Sequence, residues 1–60
     1  MKHYDCFVDQ EVGFKHEGFN YIGVITELNE IEDGKWIASV LDYETQGTLE
    51  VNVKYLLGVL

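Results

Sequence analysis

Hydrophobic and polar residues alternate along most of this chain with a period of two. Successive side chains of a strand leave on opposite faces, so this period marks half-buried strands. Residues 49–53 (LEVNV) show it most plainly. Leu49, Val51 and Val53 share one face, and Glu50 and Asn52 take the other. Residues 8–14 (VDQEVGF) set Val8, Val12 and Phe14 against Asp9, Glu11 and Gly13, with Gln10 the one polar residue on the apolar face. Residues 21–28 (YIGVITEL) are rich in β-branched side chains, and the pattern groups Ile22, Val24 and Leu28. Residues 35–41 (KWIASVL) are apolar on both faces, which predicts a central or strongly curved strand.

Turn chemistry separates these runs. His16-Glu17-Gly18 follows the first, Glu32-Asp33-Gly34-Lys35 the second and Thr45-Gln46-Gly47 the third. Asp-Gly is a strong hairpin signal, because a type I′ turn needs positive φ at both central residues. Gly23 lies inside the second strand, where a glycine marks a bulge or bend. Lys54 to Leu57 reads as a short helical turn and Gly58 to Leu60 as a terminal strand. No proline interrupts any strand. The spacing predicts a meander of short strands, as in small barrels.

The segment "GKWIAS" resembles the place in an SH3 domain where a tryptophan opens a strand and an alanine follows two residues later. "GTLEVNVKYLLGV" is similar to the end of such domains: a glycine, an apolar strand, a single-turn helix with a tyrosine, and a last valine strand. The resemblance covers residues 34–59 and extends to the Tudor and KOW modules that share the architecture. It implies an all-β, five-stranded SH3-like barrel with a short helical turn before the last strand. It also implies that Trp36 and Tyr55 fall where the peptide-groove aromatics of SH3 domains lie. The groove proline is missing and Lys35 stands in place of the second tryptophan. The resemblance therefore supports the barrel more than proline-rich peptide binding, and fold does not fix function. One domain over residues 1–60 is expected, with residues 1–6 prone to fray at the end of the chain.

Sixty residues bury a small core and leave no room for a separate catalytic cleft. Net charge is −7, from eleven carboxylates against four lysines and no arginine. The lysines at 2, 15, 35 and 54 are scattered along the sequence. A nucleic-acid binder is expected to carry a basic face, so this balance argues against direct binding to DNA, RNA or an anionic membrane. A single cysteine excludes an internal disulfide framework and points to a reducing, cytoplasmic setting. No stretch approaches the roughly 20 apolar residues of a membrane span.

Candidate chemistry is sparse. His3, Cys6 and His16 are too few and too irregularly spaced for a zinc site, so no metal and no cofactor is expected. Cys6 has no recognisable orienting partners for nucleophilic catalysis, and the chain reads as a non-enzyme. The glycines are spread one per turn or bend, unlike a phosphate loop. Trp36, the only tryptophan, is either a contact residue or a barrel residue capping the core. Aromatic rings beside carboxylates attract cations, and Phe19, Tyr43 and Tyr55 lie near Glu17, Asp33, Asp42 and Glu44 in sequence.

These features predict a small acidic protein-interaction module: a regulator, an inhibitor or an assembly subunit. Its expected surface is Trp36, Tyr43, Tyr55, Phe19, Glu17, Asp33, Asp42 and Glu44, and its expected partner is a protein with a basic face. One alternative is an acidic inhibitor of phage or mobile-element type that partly mimics nucleic acid. A domain of this length is roughly 27 Å across. Duplex DNA of that span carries about 16 phosphates, more than eleven carboxylates spread around a whole surface put on one face. Another alternative is a self-assembling protomer. A marginal core gains from dimerisation, and residues 55–60 are apolar or aromatic apart from Gly58.

Overall fold

The computed structural model describes residues 1–58. Five strands form one antiparallel sheet: β1 (Glu11–His16), β2 (Phe19–Glu32), β3 (Lys35–Asp42), β4 (Thr48–Asn52) and β5 (Leu57–Gly58). Their order is β4-β3-β2-β1-β5. The last strand returns to pair with the first, and a barrel-like SH3 arrangement is consistent with that order. Among the described residues no ladder joins β4 to β5, so the sheet is not closed into a barrel. One-turn 3-10 helices lie at His3–Asp5 and Val53–Tyr55. The expected helical turn thus begins one residue earlier, where the Asn52 side chain accepts from the Lys54 amide at 3.1 Å. Val59 and Leu60 of the expected terminal strand lie outside the described residues.

The core is Val12, Phe14, Ile25, Ala38, Val40, Val53 and Leu56. Leu49 and Val51 pack against it from β4, as their alternation predicts. The face of β2 is a correction. Tyr21, Gly23 and Ile25 turn inward, whereas Ile22 is exposed and Val24 half-buried. The cause is the two-residue turn Glu17–Gly18, with φ of 51° and 84°. It pairs Phe14 with Tyr21 and Val12 with Gly23, and partners across a ladder share a face. Leu28 nevertheless reaches the core, because a register shift between Ile25 and Glu27 inverts the phase. Val8 lies ahead of β1 and is exposed.

Two further expectations change. Asp33 does not take positive φ; Gly34 alone does, at 79°, next to a second register shift between Glu30 and Glu32. Residues 1–6, expected to fray, are tied down. The Met1 amino group donates to the carbonyls of Leu56 at 2.8 Å and Val53 at 3.2 Å, and Met1 and Cys6 pack against the core. Gly23 lets β2 approach β3 closely. A Cβ there would strike the Leu41 carbonyl and come within 2.8 Å of Val40 Cγ1. Among the described residues, no helix is long and apolar enough to cross a membrane.

Candidate functional site

Three places hold the side chains of interest. The first is the outer face of the sheet. Gly13 of β1 pairs with Ile22 on one side and Leu57 on the other, and Glu11 pairs with Val24, which pairs with Leu41. These residues alternate with the buried set, so they face away from the core. Tyr43 joins them: its amide donates to the Ile22 carbonyl at 3.1 Å and its hydroxyl donates to Glu11 Oε2 at 3.2 Å. Burial, then the bond to Glu11 and its charge, push the Tyr43 hydroxyl above the ordinary tyrosine range. Ile22 is 49% exposed, Tyr43 50% and Leu57 60%. Gly13 carries no side chain between Ile22 and Leu57, so the surface dips there.

The second place is a cleft of about 470 Å³ where the N-terminal segment meets the β2–β3 turn and the 3-10 turn after β4. Trp36 forms one wall, half-buried against the core. The His3 ring lies flat against it, with centroids 5.0 Å apart and planes 8° from parallel. Tyr4 stands edge-on to His3. Lys2, Lys35 and Lys54 line the same cleft, and among the described residues no carboxylate does. Lys2 lies 5.8 Å from the Tyr4 ring centroid and Lys54 lies 5.1 Å from that of Tyr55. Cys6 sits beside this segment, its Sγ 3.5 Å from the Lys2 carbonyl. Burial pushes its thiol up, against the pull of the N-terminal ammonium, which leaves it less nucleophilic.

The third place is the loop from β3 to β4. Asp42 is 1% exposed because it continues the inward phase of Ala38 and Val40. Its carboxylate accepts from the Thr45 hydroxyl at 2.8 Å and from the amides of Glu44 at 3.0 Å and Thr45 at 3.4 Å. Burial pushes this carboxyl up, but the three donors together outweigh it and hold it below the usual carboxylate range. Asp42 therefore cannot serve a partner, which corrects its assignment to the binding surface. Its charge is used inside the chain, where a buried carboxylate requires donors.

Compared with known proteins, the chain matches no family, no curated relative and no solved structure.

The eight residues expected to form one surface are thus dispersed. Tyr43 borders the outer face, and Glu44 is exposed in the loop that follows it. Trp36 lines the cleft, and Tyr55 touches it only through Lys54. Asp33 is exposed at the β2–β3 turn, beside Gly34 of the cleft lining. Phe19 and Glu17 are exposed at the β1–β2 turn, where Glu17 lies 3.9 Å from the His16 ring. Ile22, Leu57 and Glu11 enter the outer-face group unannounced. The gathering of three lysines at the cleft is equally unannounced, since they share no local sequence signal.

Proposed function

We propose that this chain is a non-enzymatic protein-interaction module, serving as a regulator, an inhibitor or an assembly subunit. It docks a protein with a basic face on the outer side of its sheet. What supports the reading is one observation: Ile22, Tyr43 and Leu57 stay exposed around the Gly13 dip, with the Glu11 carboxylate bound to Tyr43. Contiguous apolar surface on so small a chain marks an interaction site. The apolar groups supply affinity, and a net charge of −7 speeds encounter with a cationic partner. Against a second copy of the same chain that charge repels, which favours a basic partner over self-assembly. The single cysteine suits a reducing, cytoplasmic site of action.

The test pairs wild type with Ile22→Ser/Leu57→Ser, both exposed positions. A partner recovered from the native cell by wild type is expected to bind the double variant at least about tenfold more weakly, with the fold unchanged by circular dichroism. Undiminished binding would refute the outer-face assignment. Salt then separates the mechanisms. Apolar docking weakens modestly between about 50 and 500 mM salt, whereas nucleic-acid mimicry collapses over that range.

A further inference from the structure

The lysines are scattered in sequence, yet Lys2, Lys35 and Lys54, three of the chain's four, meet at one cleft. Among the described residues none of them lies within ion-pair distance of a carboxylate; the one ionic contact is His16 to Glu17. A chain with eleven carboxylates thus gathers three of its four lysines at one cleft without an ion pair to any of them among the described residues. Asp5 and Asp33 adjoin lining residues in sequence and Glu30 Oε2 accepts from the Gly34 amide at 3.0 Å, but none of the three lines the cleft.

We propose that this cleft is a binding site for a small anion that joins a phosphate to a planar ring, a mononucleotide by chemical class. Three lysines that line one cleft from separate segments suit a phosphate, which offers several acceptor oxygens and up to two negative charges. Three aromatic rings, His3, Tyr4 and Trp36, line it as well, beside Met1, Gly34, Asn52 and Val53. His3 already lies parallel to Trp36, and Tyr4, 67% exposed, presents a ring of the kind on which bases stack. The volume, about 470 Å³, falls within the usual range for small-ligand sites.

Charge also sets the length of the ligand. With three lysines at the cleft, only Lys15 remains elsewhere. A polyanion running out of the cleft meets a surface of carboxylates. A mononucleotide meets fewer of them, because screening at physiological salt confines its field to about 8 Å, and the molecule measures 31 Å along its longest axis. The cleft shares no residue with the outer face, so each assignment stands or falls alone.

The experiment is a titration of the isotope-labelled chain, followed by amide chemical shifts, with AMP, adenosine, inorganic phosphate and a single-stranded oligothymidylate in about 50 mM salt. AMP is expected to give saturable shifts at residues 2–4, 34–36 and 52–54, with adenosine and phosphate each at least about tenfold weaker. Fluorescence of Trp36, the sole tryptophan, reports the same event independently. Lys2→Gln/Lys54→Gln changes two exposed side chains and is expected to weaken AMP at least about tenfold while leaving the amide spectrum otherwise native. No saturable shift by roughly 10 mM AMP, or AMP binding undiminished in the double variant, overturns the site. Phosphate alone matching AMP overturns the recognition of a ring, and oligothymidylate binding more tightly than AMP at the same amides overturns the mononucleotide.

Discussion

Asp42 is where a single residue changes meaning between sequence and structure. Read locally, "LDYE" is an acidic aromatic run suited to a solvated rim. In the fold, Asp42 points inward and holds the β3–β4 loop through Thr45 and the Glu44 amide. The spacing Asp-x-x-Thr, in which a short polar side chain satisfies the backbone ahead of it, was a legible sign of this role. Its linkage has a definite sign. The folded carboxyl lies below the ordinary value of about 3.9, so its stabilisation is complete above that pH and is lost as pH falls through the folded value. Asp42→Asn is therefore expected to lower the melting temperature at pH 7, and the gap from wild type is expected to narrow below about pH 4. A gap that stays constant from pH 7 to pH 2 would show that the charge is immaterial.

At the scale of elements, β2 carries the lesson. Its alternation marks a strand but not which face is buried, because period two gives a phase only relative to a neighbour. The missing information lay in the turn. Once Glu17 and Gly18 are taken as a two-residue hairpin turn, Phe14 must face Tyr21 and Ile22 must point out with Gly13. The later shift at Ile25/Glu27 had no such signal, since Thr26 differs little from its neighbours. The same turn yields a prediction. Glutamate at φ 51° is strained, whereas asparagine accepts that region readily. Glu17→Asn is expected to raise unfolding stability by about 0.5–1 kcal/mol in urea denaturation. The lost contact to His16 is exposed and subtracts little. Equal or lower stability would mean that this turn does not limit the hairpin.

For the whole molecule the dominant facts are a small core and a large charge. Among the described residues, seven side chains form the buried apolar cluster, and the Cα radius of gyration is 10.4 Å. Net charge of −7 at that size destabilises the compact state through self-repulsion. Sodium chloride raised from about 20 to 500 mM screens that repulsion and is expected to lift the melting temperature by roughly a few degrees. A melting temperature that stays flat or falls would indicate that local pairing already offsets the repulsion. The charge is also uneven. Its positive part concentrates at the Trp36 cleft, although that tryptophan was expected to sit on an acidic surface.

Sequence alone determined the class of object: short strands, the turns between them, a short helical turn before the last strand, and the acidic balance. These follow from local rules, since period two and turn chemistry act over a few residues. Tertiary structure alone decided that Lys2, Lys35 and Lys54 share a cleft with Trp36, and it fixed the buried face of β2 and the internal use of Asp42, for which the local turns carry only a sign. Those outcomes depend on pairing register and on segments far apart in the chain that meet only when the sheet curls. No local pattern encodes that meeting.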